Sequence, residues 1–198
     1  MTYIKDIKRA ISKVKEPYRI WKDYSKIDTQ NEGDDFMLER VFCYEFYHQF
    51  RKLMGRPKNK VKYKELYFHG EITKYLESGS KAPDFVLHSG QDNIIKQAVV
   101  IEVKTMKRIQ QNQSECNMRK DIKKLLLLMR KDGLAFKYGV FIGVNCNNED
   151  LKNKILRMRG KPFDSYKDLF DSLYIIGTED NTPFTLSSLF LSRRTSNQ

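Results

Sequence analysis

Apolar residues recur along this chain with two different periods, and the switches between them mark out the elements. Ile4, Ile7, Ile11 and Val14 fall at helical steps with Lys5, Lys8, Arg9, Lys13 and Lys15 between them, which predicts an amphipathic helix within residues 3–25 that Pro17 should stop. Residues 18–24, with Trp21, read as a further short turn. The polar stretch 27–35, with Gly33, reads as a loop ending in a cap at Asp34 or Asp35. Residues 36–54 form the clearest helix, since Leu38, Phe42, Phe46, Gln49 and Leu53 align as one stripe. Gly55-Arg56-Pro57 stops it, and 58–64 is a basic loop.

From there the period shortens to two. In residues 63–75, Leu66, Phe68, Gly70 and Ile72 alternate with Tyr67, His69, Glu71 and Thr73, so a strand is predicted with His69 and Glu71 on one face. Two apolar runs, 83–88 and 98–104, are separated by Ser89, Gly90, Asp92 and Asn93, the composition of a β-hairpin. Residues 105–115 have no apolar pattern and read as a mobile loop. A helix at about 114–131 buries Met118, Ile122, Leu125 and Met129 and ends at Asp132-Gly133. Residues 138–144 are apolar on both faces and should form a buried strand parallel to 98–104. Helices at 151–159 and 164–173, a last strand at 174–176 and a frayed tail at 192–198 complete the pattern.

Charge narrows the class of partner. The 198 residues carry 37 Lys and Arg against 25 Asp and Glu, a formal charge of +12, and such an excess favours a polyanion. A basic protein with no such partner is the plain alternative. Cys43, Cys116 and Cys146 have no paired spacing, which fits a reducing, cytoplasmic setting. Residues 1–5 do not resemble a signal peptide, and no run is long and apolar enough to cross a membrane.

The hairpin carries the candidate chemistry. Side chains alternate faces along a strand, so Asp84, Val86 and His88 share one side, as do Ala98, Val100, Glu102 and Lys104. Two carboxylates and an ammonium at one end of an apolar ribbon suit a metal site. Carboxylate oxygens are hard ligands for Mg²⁺ or Mn²⁺, and a lysine beside them can orient water and face the charge of a phosphoryl transition state. The alternative is a surface hairpin whose Glu and Lys are solvated or paired across strands.

Pro83-Asp84 followed by Glu102-Val103-Lys104, with the acids 18 positions apart, resembles the PD-(D/E)XK, or restriction-endonuclease-like, nuclease superfamily. The resemblance implies an α/β fold with a mixed central sheet, of core order helix-strand-strand-strand-helix-strand, flanked by helices. It covers about residues 34–145 of a single domain spanning 1–198, leaving an N-terminal helical extension, 1–33, and a C-terminal one, 146–198. It implies Asp84 and Glu102 as ligands of Mg²⁺ (or Mn²⁺) and Lys104 at the attacking water. It further implies an acid from the preceding helix, for which Glu45 is the first choice and Glu39 the second. Glu71 is a supplementary ligand if its face looks onto the metal. Arg119, Lys120, Lys123 and Lys124 are the expected contacts to nucleic acid, DNA before RNA, with Lys120 or Asp121 carrying a polar group towards the phosphate. A homodimer would fit a double-strand cutter. The expected activity is Mg-dependent endonucleolytic hydrolysis. The rivals are an RNA-cleaving relative, a catalytically inactive nucleic-acid-binding protein on the same fold, and a scaffold whose hairpin acids are structural.

Overall fold

The computed structural model describes residues 2–19, 33–71, 74–76, 79–89, 97–106, 111–158 and 161–191. The predicted turn at 89–93 falls almost wholly outside these residues, as do the whole tail 192–198, residues 20–24 of the expected turn, residues 27–32 and 107–110 of the expected loops, and the side chains of Asp34 and Asp35 offered as caps.

Helix α1 (Thr2–Ile11) forms on the expected stripe, burying Ile4, Ile7 and Ile11. It ends before Pro17. The chain tightens when Lys13 N–H donates to Ala10 O and Val14 N–H to Ile11 O, and Pro17 then sits inside a short 3-10 turn, Glu16–Tyr18. Helix α2 (Gly33–Met54) begins earlier than the apolar stripe suggests. Its buried residues include Phe42, Phe46, Phe50, Leu53 and Met54, and Gln49 lies at their edge. These rings meet Phe68 and Phe85 of the sheet, with Phe46 to Phe85 at 5.5 Å and Phe50 to Phe68 at 4.6 Å between centroids, so aromatic packing seats α2 on the strands.

The predicted strand at 63–75 is shorter than its alternation implied. Residues 57–64 coil through turns, and β1 is only Tyr67–Gly70. An unpredicted hairpin of β2 (Lys74–Leu76) and β3 (Gly79–Lys81) follows. The main hairpin forms as read: β4 (Phe85–His88) pairs antiparallel with β5 (Gln97–Thr105). Its register slips between Leu87 and His88, and past that point Ala98 joins Val99 in the core facing α1 and α2 rather than siding with Val100. A bulge re-aims side chains in this way.

Helix α3 (Gln111–Met129) begins inside the stretch expected to be loop and buries Met118, Ile122, Leu125 and Met129 as predicted. Strand β6 (Tyr138–Val144) lies parallel to β5. Gly139 leaves room there, because a Cβ would come to 2.5 Å from the Met129 sulfur and 2.9 Å from a Leu173 methyl; α3 can approach the sheet closely as a result. Helix α4 (Asn148–Arg157) is capped by Asn147, whose side chain accepts from Asp150 N–H. The predicted helix at 164–173 is 3-10 in character, Lys161–Ser172. The last predicted strand is β7 (Leu173–Gly177), and two unpredicted short elements follow, β8 (Phe184–Thr185) and α5 (Leu186–Leu191).

The result is a mixed six-stranded sheet in the order β1-β4-β5-β6-β7-β8. The first three strands are antiparallel, β5 to β7 parallel, and β8 antiparallel again. One apolar cluster joins α1 and α2 to one face, and the other joins α3, α4, α5 and the 3-10 segment to the opposite face. Strands β5 to β7 are covered on both sides, which is why they read as unbroken apolar runs.

Candidate active site

A charged group interrupts this apolar sandwich at one end of β4 and β5. Phe85 pairs with Ile101, Val86 with Val100 and Leu87 with Val99; carried one step further, the same register sets Asp84 opposite Glu102. Side chains so placed stand on one face, with Cβ atoms about 5 Å apart. Glu102 is only 2% exposed, in the middle of a buried strand. The Asp84 carboxylate accepts the Val103 N–H at 2.6 Å through Oδ2, so it ties itself to the peptide next to Glu102.

The flanking helices supply the remaining charges. From α3, Lys124 Nζ lies 2.7 Å from Glu102 Oε2 and donates to the Ala82 carbonyl at 3.2 Å. From α2, Glu39 Oε2 accepts from Lys104 Nζ at 3.2 Å and from the Thr105 N–H at 3.0 Å. Glu39 therefore holds the end of β5 and its lysine together. Asp121, one turn before Lys124, adds a fourth acid.

Burial and crowding of like charge set the electrostatics. Burial pushes Asp84 up to about 6 against the pull of the Val103 N–H, with Glu39 adding to the rise and Lys124 opposing it. Glu102 is driven well above the carboxylate range by burial and then by Asp84, although Lys124 opposes it. Asp121 is raised by burial despite Lys124 and Lys104. Burial works against the charge on Lys104, but Glu39, Asp121 and Asp84 outweigh it and leave its pKa above that of an ordinary lysine. Lys104 is thus an ammonium, a donor rather than a base. One turn after Glu39, Cys43 is raised by burial and then by Asp84 and Glu39; its helical spacing from Glu39 was the only sequence signal that it would lie near these acids.

Asp84, Glu102 and Lys104 are thus brought to one end of the ribbon, and the acid that α2 contributes is Glu39. Glu45, the first choice, lies on the other flank of the Phe42–Phe46 stripe and accepts a hydrogen bond from Gln49 at 2.7 Å. The reason is helical phase: six residues on, Glu45 stands about 120° around the axis from Glu39. Glu71 follows β1 with φ of 52° and an exposed side chain, and its N–H donates to the Asp84 carbonyl at 2.9 Å. Such a conformation is uncommon outside glycine and is held here by its neighbours. Arg119, Lys120 and Lys123 are exposed on α3, whereas Lys124, grouped with them on sequence, turns inward to Glu102. His69 and His88 meet each other, Nδ1 to Nε2, at 3.0 Å. Elsewhere on α2, Tyr44 is 65% exposed and accepts a hydrogen bond from Arg40 at 3.0 Å.

Comparison of the chain with protein-family models, with curated proteins and with solved structures gives no match. The functional reading rests on the site's own chemistry.

Among the described residues, no three His, Cys, Asp or Glu side chains are grouped as a ready-made metal cage. Two carboxylates suffice for Mg²⁺, which keeps several of its waters and is completed by substrate phosphate. Asp84 and Glu102 fit that requirement. Asp84 raises the pKa of Glu102, and Glu102 Oε1 is buried without a hydrogen-bond donor. A hard cation would relieve both conditions. Among the described residues, no helix is long and apolar enough to cross a membrane.

Proposed function

We propose that this protein is a divalent-metal-dependent nuclease that hydrolyses phosphodiester bonds, with DNA as its substrate and the fold of the restriction-endonuclease-like enzymes. The observation that carries the proposal is the convergence of Asp84, Glu102 and Lys104, an acid-rich group with one oxygen left bare, in a chain whose formal charge is +12. The chain order α2, β1, β4, β5, α3, β6, interrupted among the described residues by a short 3-10 turn, Pro57–Asn59, and by the β2–β3 hairpin, supports the same reading.

Asp84 and Glu102 would hold Mg²⁺ or Mn²⁺. When bound, the metal supplies a Lewis acid for a phosphate oxygen and a water more acidic than bulk. Lys104 then places its ammonium where negative charge grows on the phosphoryl group, and orients the attacking water by donating to it. Glu39 keeps that ammonium in position and charged. Exposed Glu71, bonded through its N–H to the Asp84 carbonyl, would be a supplementary ligand if its carboxylate faces the metal. Arg119, Lys120 and Lys123 draw in the backbone through salt-dependent contacts. A homodimer working in the cytoplasm is the form in which such an enzyme would cut both strands.

The test is incubation of plasmid and of labelled single- and double-stranded DNA and RNA with Mg²⁺ or Mn²⁺, beside Lys104→Ala and Glu102→Gln variants. Metal-dependent cleavage that both variants lose would support the proposal. RNA cleavage alone would reassign the substrate, and salt-sensitive binding without any cleavage would leave a catalytically inactive nucleic-acid-binding protein.

A further inference from the structure

The basic residues of α3 divide into two kinds, and the division points to a role for Lys124 that its neighbours do not share. Arg119, Lys120 and Lys123 face solvent, but Lys124 turns inward and is bound at two places. We infer that Lys124 is a positioning residue for the metal site: by holding Glu102 Oε2 and the Ala82 carbonyl it fixes the Glu102 carboxylate with Oε1 presented as the ligand atom. This inference rests on the metal-dependent reading above.

Three observations converge on it. The ammonium lies 2.7 Å from Oε2, while Oε1 of the same carboxylate is buried and has no donor. A lysine has three N–H donors, so leaving Oε1 bare is a matter of placement. The terminal torsion of a glutamate is otherwise broad, and an ion pair at one oxygen selects its plane. The second bond goes to Ala82, two residues before Asp84, so a single ammonium ties the segments carrying both acids to one helix. That helix cannot drift: Met118, Ile122, Leu125 and Met129 are all buried, and Gly139 allows it to sit close to the sheet. Groups that orient a ligand are, in metal sites generally, worth about ten- to a hundredfold in metal affinity.

The experiment is calorimetric titration of Mn²⁺ into the wild type and the Lys124→Met, Lys124→Arg and Asp84→Asn variants, with thermal melts to establish folding. In parallel, reductive methylation of the wild type, with and without Mg²⁺, reads the accessibility of Lys124. The expected result is a loss of Mn²⁺ affinity in Lys124→Met of about ten- to a hundredfold, most of it restored in Lys124→Arg. Lys124 should be slow to methylate in both conditions. If Lys124→Met binds Mn²⁺ as tightly as the wild type or more tightly, or if Mg²⁺ makes Lys124 react several-fold faster, Lys124 is a counter-ion displaced by the metal and the inference is overturned. Should Lys124→Met not fold, the arginine variant and the methylation rates decide. Failure of the wild type to bind Mn²⁺ at all removes the metal reading and this inference together. Binding that Asp84→Asn loses and Lys124→Met keeps removes only the positioning role.

Discussion

Two buried charge clusters, on different parts of the molecule, are built in opposite ways. Asp6 of α1 is one acid among several donors: Lys62 and Arg9 pair with it, and the Tyr63 hydroxyl donates to it at 3.0 Å. The Lys62 ammonium also lies over the rings of Tyr3 and Tyr63, at 5.0 and 4.6 Å from their centroids. The Asp84–Glu102 group has the reverse balance, with Glu39 and Asp121 making four acids against two lysines, and it leaves a carboxylate oxygen bare. The first cluster staples α1 to the turns after α2. The second, among the described residues, crowds buried acids together with too few donors to satisfy them, and this difference separates a structural ion cluster from a candidate site.

The comparison can be broken by exchanging the effects of substitution in the two clusters. The largest expected effect is on chemistry. Lys104→Ala should lower metal-dependent cleavage by about two to four orders of magnitude while leaving the melting temperature nearly unchanged; retained cleavage would remove Lys104 from the mechanism.

Next in size is a loss of stability confined to the other cluster. Asp6→Ala removes the acceptor shared by Lys62, Arg9 and the Tyr63 hydroxyl, and should cost about 3–5 kcal/mol by urea titration. Mn²⁺ binding should not change, and a metal-binding defect in that variant would show the two clusters to be coupled.

The third prediction has the opposite sign. Asp84 rises from 3.8 to about 6 on folding, so between those pH values the folded chain holds the proton more tightly than the unfolded one. The Asp84 contribution to stability therefore falls as pH rises through this window, by at most about 3 kcal/mol above it. Without metal, Asp84→Asn should remove most of that fall and be more stable than the wild type at pH 8, measured by denaturant titration across pH. A wild type that gains stability over pH 4–6 relative to the variant would contradict the assigned strain.

The smallest effect should come from Glu45→Gln. Its bond to Gln49 is a helical i, i+4 contact of about 0.2–0.5 kcal/mol, and neither Mn²⁺ affinity nor cleavage should respond.

Along the chain, what was legible followed the length of the periodic signal. The stripes of α2 and α3 and the unbroken run of β6 repeat over many residues, so burial leaves few alternatives. The hairpin of β4 and β5 was equally plain, and with it the convergence of Asp84, Glu102 and Lys104. The alternation through residues 63–75 was misleading because Asn59 to Leu66 is held in turns by local bonds, among them Asn59 Nδ2 to Leu53 O at 2.7 Å. Short strands such as β2, β3 and β8 carry too few residues for a period to register.

Within the site, the amino-acid order determined which charges share a strand face, because alternation along an extended backbone is a local property. It could not determine which helix residue would meet them. Glu39 instead of Glu45, and an inward Lys124 instead of an outward one, depend on the rotation and seating of α2 and α3 against the sheet. Those follow from the packing of Phe42, Phe46, Phe85, Met129 and Gly139. A helix can turn by a residue's worth of angle with little change in its own pattern, and only contact with the rest of the fold fixes that angle.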